Sequence, residues 1–204
     1  MRSHSFVLAV MAVPMLASCA YLNTPIGPVE TWPSFESRYD KYLVQFHIPV
    51  WPGEKKPCRL TPILARDFPT PMDELCYQPY DIAPDGVSEF NVRIGISRID
   101  EEKGMDAEML YIDFQRAFEN KPSEVAKAVL SGKPCIRVTH FTNQDKAVVK
   151  SEFYRLPLFD DRFLDIEAMY HRPAPTPEWV RSRRGIFDAI IRSIRITEEP
   201  AQGK

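Results

Sequence analysis

Apolar and polar residues alternate with period two over six stretches of the chain, and a helical period governs two more. YLVQFHIPV places Tyr42, Val44, Phe46, Ile48 and Val50 on one face, the pattern of a half-buried strand. SEFNVRIGISRI sends Phe90, Val92, Ile94 and Ile96 one way and Asn91, Arg93 and Ser97 the other. EMLYIDFQRAF alternates through Leu110, Ile112 and Phe114, and the charged turn DEEKGMDAE between these two runs predicts a hairpin. CIRVTHF, AVVKSEFYRL and FLDIEAMYH follow, separated only by NQDK and FDDR, so an antiparallel meander is the economical arrangement.

Two segments carry a helical pattern. NKPSEVAKAVLSGK offers Pro122 before a Ser123 cap, apolar Val125, Ala128 and Val129, and Gly132 as a stop, which predicts a helix of about three turns. In APTPEWVRSRRGIFDAIIRSIRI, Thr176 is a good N-cap and Pro177 a favoured first helical residue. Trp179, Ile186, Ile190 and Ile194, joined by Val180, Phe187 and Ile191, make a continuous apolar stripe, with Arg181, Arg184, Asp188, Arg192 and Arg195 on the other side. An amphipathic helix over an antiparallel sheet gives an α+β layer. Between residues 51 and 86, prolines recur at 52, 57, 62, 69, 71, 79 and 84, so a strand ladder is not expected there and a long structured loop is.

The first residues change the picture by fixing a compartment. Arg2, an apolar run over residues 6–16, and the small residues Ala17 and Ser18 follow the order of a secretory signal peptide, and the run is too short to span a bilayer. Leu16-Ala17-Ser18-Cys19 fits the bacterial lipobox, so residues 1–18 are expected to be removed and Cys19 to carry diacylglycerol and a fatty acyl group such as palmitate. Several tens of buried methylenes at ~0.8 kcal/mol each make such an anchor effectively permanent. Ala20, where an Asp would retain a lipoprotein in the inner membrane, points to the periplasmic face of the outer membrane. Residues 19–38, proline-bearing and weakly periodic, suit a tether, residues 39–197 a single α+β domain, and 198–204 a tail.

The leader holds one Arg and no acid, so the mature chain keeps 25 basic against 28 acidic side chains, a formal charge of −3. That balance argues against nucleic acid as a partner and leaves the lipid at Cys19 as the contact with membrane. Its 186 residues suit one domain with a substantial core. In the oxidising periplasm Cys58 and Cys76, which bracket CRLTPILARDFPTPMDELC, are expected to form a disulfide, removing roughly 3 kcal/mol of unfolded-state freedom. Cys135, in a strand pattern, is expected to be a buried, inert thiol.

Catalytic signatures do not appear. GxSxG, HExxH, SxxK and GxGxxG are absent, and no CxxC or HxxxH spacing suggests a metal, so neither a cofactor nor a metal is expected and the chain is read as a non-enzyme. His47 and His140 fall within strands and His171 at a strand end. Cys135 and His140 would stand about 16 Å apart on opposite faces of one strand, too far for a thiol–imidazole pair. Asp160 and Asp161 fall in a turn.

The order of elements resembles the PsbP-like α/β/α fold, and the closing RRGIFDAIIRSIRI resembles the final helix of that superfamily. Domains that look similar occur in lipoprotein immunity proteins against type VI secretion effectors. The resemblance implies an outer-membrane-anchored toxin inhibitor that binds a secreted lipase or peptidoglycan hydrolase. The alternative is a non-enzymatic lipoprotein of envelope assembly or of the secretion apparatus. Exposed aromatics beside acids would supply contact area and steering toward a basic partner. Two segments offer them: the loop with Asp67, Asp73, Glu74, Tyr77, Tyr80 and Asp81, and the turn with Asp100, Glu101, Glu102 and Asp106.

Overall fold

The computed structural model describes residues 29–39, 41–49, 59–60, 72–82, 88–146 and 148–198. Ten strands and two α-helices are described among them. The strands are β1 (Ser34–Tyr39), β2 (Tyr42–His47), β3 (Arg59–Leu60), β4 (Met72–Ile82), β5 (Ser88–Arg98), β6 (Ser123–Leu130), β7 (Lys133–Phe141), β8 (Val149–Phe159), β9 (Arg162–Tyr170) and β10 (Arg195–Glu198). Helix α1 is Ala107–Phe118 and helix α2 Pro177–Ser193. Seven strands form one antiparallel sheet in the order β3-β4-β5-β9-β8-β7-β6, and a smaller sheet has the order β1-β2-β10. The fold is α+β, an antiparallel sheet with a helix on each face.

The expected period-two runs at β2, β5, β7, β8 and β9 are strands with the expected faces. Tyr42, Val44, Phe46 and Ile48 are buried, as are Phe90, Val92, Ile94 and Ile96. Strands β7, β8 and β9 are the expected meander, and β9 returns to pair with β5. Helix α2 starts where its sequence says: the Thr176 hydroxyl accepts the Trp179 N–H at 3.2 Å, and Trp179, Ile186, Phe187 and Ile190 are buried. A 3-10 turn at Val29–Thr31 and most of β1 fall within the stretch 19–38 expected as a tether.

Three expectations are overturned. Residues 107–118 are a helix, not the second strand of a hairpin. Both sides of β5 are already occupied, by β4 and β9, so no slot remains for a hairpin partner. The chain must instead travel to the far edge of the sheet, four strand spacings or about 19 Å away. A 12-residue helix is about 18 Å long. Asp106 caps it, accepting the N–H groups of Glu108 and Met109 at 2.9 Å. Leu110, Phe114 and Phe118, at helical spacing, face the sheet, while Met109 and Ile112 are exposed.

Residues 123–130, expected to be a helix, are the edge strand β6. Gly132 ends no helix; with Ser131 it forms a two-residue hairpin loop in which both residues have positive φ, 51° and 77°, joining Leu130 to its partner Lys133. The third correction concerns β4, eleven residues of strand inside the expected loop. Pro79 stands opposite Asn91 in the ladder. Strand β3 covers only Tyr77 and Cys76, so at Pro79 β4 is a sheet edge among the described residues, where a missing N–H is tolerated.

Two clusters fill the space between the layers. On the α2 face the large core takes in α2, the inward residues of β5, β8 and β9, and both β2 and β10 of the small sheet. On the α1 face a smaller cluster is centred on Leu110, Ile136, Val138 and Phe163. Cys135, buried and reduced, belongs to the α2 face, with burial pushing its thiol up to about 12. His140 is on the other face, packed against Phe118 and Phe153, so the two do not meet.

Candidate functional site

Among the described residues, several of those expected to grip a partner are engaged inside the fold. Asp67 lies outside the described residues, as do Cys58 and the side chains of Asp73, Glu74, Cys76 and Tyr77 on β4. Tyr80 is 2% exposed, and its hydroxyl donates to the Pro49 carbonyl at 2.9 Å. Asp81, 3% exposed, accepts from Trp179 Nε1 (3.0 Å) and Arg183 Nε on Oδ2, and from Arg183 Nη2 on Oδ1 at 2.7 Å. These two residues tie the end of β4 into the core and onto α2 rather than facing a partner.

The second acidic segment is divided in the same way. Asp106 is occupied as the α1 cap, and Glu102 receives both Arg155 Nη1 hydrogen bonds, at 2.8 and 3.0 Å. Asp100 and Glu101 remain exposed. Arg155 also binds Asp165 through two nitrogens at 2.8 and 2.9 Å, and Ser97 donates to Asp165 at 2.7 Å. The Arg155 guanidinium lies 5.4 to 5.9 Å from the ring centres of Phe114, Phe153 and Phe163. Burial pushes the Glu102 carboxyl up, and Arg155 partly offsets it. Glu167 is raised by burial too, opposed by its partner Arg93. Every charge of this network has a partner, which fits a structural role in holding the 3-10 turn Asp100–Glu102 against β8 and β9.

The opposite face of the sheet carries a different arrangement. A cleft of about 730 Å³ runs between the outer side of α2 and the ends of β7 and β8. Phe141, Val149 and Val180 give it apolar walls, and Arg137, Lys146, Arg181 and Arg184 surround it with cations, against Asp188. A recess of about 200 Å³ shares Arg137, Phe141 and Arg184 with it and reaches Glu124 and Ala126 on the β6 edge. The larger cleft's 730 Å³ falls in the range of small-molecule sites, roughly 300 to 1,000 Å³.

Glu152 holds the cleft's cations in place. Its side chain has no exposed surface; Arg137 Nη2 donates to one oxygen at 3.1 Å, and Arg184 Nε stands 2.5 Å from the other. A single buried carboxylate between two guanidiniums leaves a net positive charge, and it fixes two long side chains that would otherwise rotate. Arg181 has no ion-pair partner among the described residues. The Tyr170 hydroxyl, buried and without a hydrogen-bond partner among the described residues, is raised by burial first and then by the nearby Glu152 charge.

Sequence reasoning placed Arg181, Arg184 and Asp188 on the side of α2 opposite its apolar stripe but drew no site from them. The signal was there in the helical spacing of Pro177, Arg181, Arg184 and Asp188, interrupted by a glycine at 185. What could not be read was the strand opposite. Arg137 and Glu152 come from neighbouring strands and reach the helix only through the meander. Among the described residues no group of His, Cys, Asp and Glu could hold a metal ion, and no helix is long and apolar enough to cross a membrane.

No protein-family model and no curated protein matches the chain. Among solved structures it is similar to LpqN of Mycobacterium tuberculosis, described as involved in cell envelope biogenesis, at 14% identity and a TM-score of 0.45, over 82% of this chain and 92% of that one.

Proposed function

We propose that this chain is a lipid-anchored bacterial envelope protein whose α+β domain works by binding rather than by chemistry. The observation that carries this is Leu16-Ala17-Ser18-Cys19 behind an apolar leader, which supports a lipid anchor at Cys19; Ala20 after it favours the periplasmic face of the outer membrane. The polar clusters support binding over catalysis. Glu102, Asp165, Glu167 and Glu152 are engaged by arginines, Cys135 is a buried thiol, and His140 sits in an aromatic setting with its Nδ1 on Ser123 at 2.8 Å. The Ser123–His140 contact is flanked by Phe118 and Phe153, and among the described residues no carboxylate orients the ring, so it lacks the third member of a relay.

The partner we favour is a secreted effector, lipase or peptidoglycan hydrolase, which the domain occludes as an immunity protein. The motif behind it is the closing helix RRGIFDAIIRSIRI. Its interface no longer includes Tyr80, Asp81, Glu102 or Asp106, whose contacts are internal; exposed Asp100 and Glu101 remain. The test is co-purification with the product of the adjacent gene, followed by an assay of that product's lytic activity. A stoichiometric complex with lost activity is the expected result, and no complex would overturn the immunity assignment. The second candidate, an envelope-assembly lipoprotein, is favoured by the cationic cleft, which has the dimensions of a small-ligand site rather than of a flat protein interface.

A further inference from the structure

We infer that the cleft between α2 and β7–β8 binds the phosphate or carboxylate of an amphipathic small molecule, with Arg184, Arg137 and Arg181 on the anion and the Phe141–Val149–Val180 wall on its apolar stem. This goes beyond the choice of protein partner and does not depend on it. Three observations carry it.

The first is charge placement. The mature chain is net acidic, yet one cleft gathers Arg137, Lys146, Arg181 and Arg184; Asp188 on its wall, the shared Glu152, and Glu124, which pairs with Lys146 at 3.1 Å, leave it one charge positive. Cationic groups gathered at a concave surface focus the field into it and raise the local concentration of anions. The second is preorganisation. Glu152 accepts a hydrogen bond from Arg137 Nη2 and ion-pairs with Arg184 Nε; Arg137 Nε is buried, so Nη1 of Arg137 and the Nη groups of Arg184 remain to donate. A planar guanidinium held from one side suits two-point recognition of phosphate or carboxylate.

The third is Gly185. It lies within α2, where glycine costs up to ~1 kcal/mol of helix propensity relative to alanine. Its φ is not positive, and a Cβ built there would meet nothing within 4 Å. Neither backbone conformation nor close packing among the described residues calls for glycine. Room in the cleft does, since Gly185 lines it beside Arg184. Glu152 is on this view a positioning residue, aiming the arginines without touching the ligand.

The test uses the mature chain, residues 19–204, with Cys19→Ser in place of the lipid anchor, titrated by calorimetry with octyl phosphate and, separately, with inorganic phosphate at low salt. Saturable one-to-one binding of octyl phosphate is expected, at least tenfold weaker in both Arg181→Gln and Gly185→Leu. Arg181 and Gly185 are exposed, so the two variants should keep the wild-type melting temperature within a few degrees, which separates loss of the site from loss of the fold. Binding of inorganic phosphate with equal affinity, lost in the same variants, would support the anion site and assign it to a free anion. No saturable binding of either probe, or binding that both variants retain, overturns the inference. A failed co-purification leaves this result unchanged, because no protein partner enters it.

Discussion

The two faces of the seven-stranded sheet are built by different means. On the α2 face, β5 contributes Phe90, Val92, Ile94 and Ile96 and β9 contributes Leu164, Ile166 and Ala168, all at most 4% exposed. The same strands turn Asn91, Arg93 and Ser97, Asp165 and Glu167 toward the α1 face, where ion pairs and arginine–aromatic stacking do much of the organising. One face is thus held mainly by apolar area, at about 25 cal/mol per Å², and the other by directional contacts whose net worth is smaller. Polar groups on the α2 face are few, and they concentrate at its rim: Asp81 with Arg183, and Glu152 with Arg137 and Arg184. A rigid apolar interior with its charges at one edge is the better platform for a binding site, and there the cleft lies.

The contrast can be broken most severely at Phe187, fully buried in α2. Phe187→Ala should cost about 4 kcal/mol, as deletion of a buried aromatic does, and urea unfolding followed by circular dichroism would show the shifted midpoint. Leu110→Ala, at the centre of the smaller cluster, should cost about 3 kcal/mol. A larger loss at Leu110 than at Phe187 would reverse the ranking of the faces. Asp106→Ala removes the acceptor for two N–H groups of α1 and should cost about 1 kcal/mol, leaving α2 unaffected by hydrogen exchange.

The smallest effect concerns pH. Burial, then Lys150 and Lys121, hold His140 below its ordinary value, so the unfolded chain takes up a proton before the folded one does. Its contribution to stability is therefore present at neutral pH and is lost as pH falls from about 6.5 toward the folded value. Glu102 and Glu167, raised by burial, act oppositely: they favour the fold on the acid side and lose that contribution as pH rises above the ordinary carboxyl range. A His140→Gln variant should flatten the acid-side slope of stability below about pH 6.5 relative to wild type. An unchanged slope would show that His140 titrates alike in both states.

Legibility followed the same division. The α2 face could be read from sequence because its strands alternate cleanly and its helix has a cap, a first-turn proline and an unbroken stripe. The α1 face could not. Leu110, Ile112 and Phe114 satisfy a strand period locally, and only the occupied neighbours of β5 force the helix, a fact about sheet order that no local window contains. Val125, Ala128 and Val129 satisfy a helical period equally well; β6 is a strand because β7 offers an open edge and Ser131-Gly132 a tight turn. The candidate site was half visible. The cations of α2 were in plain view, whereas Arg137 and Glu152 lay in strands where a charged residue reads as solvent-facing. Tyr80 and Asp81 misled for the reverse reason: a proline-rich surrounding hid a strand that carries them inward.

Everything proposed about where the domain works rests on Cys19. The direct measurement is the mass of the N-terminal peptide of the protein recovered from bacterial envelopes, compared with the Cys19→Ser variant. The proposal predicts a chain that begins at Cys19 and carries the added mass of diacylglycerol and a fatty acyl group, absent in Cys19→Ser. A chain whose Cys19 bears no acyl mass would contradict it.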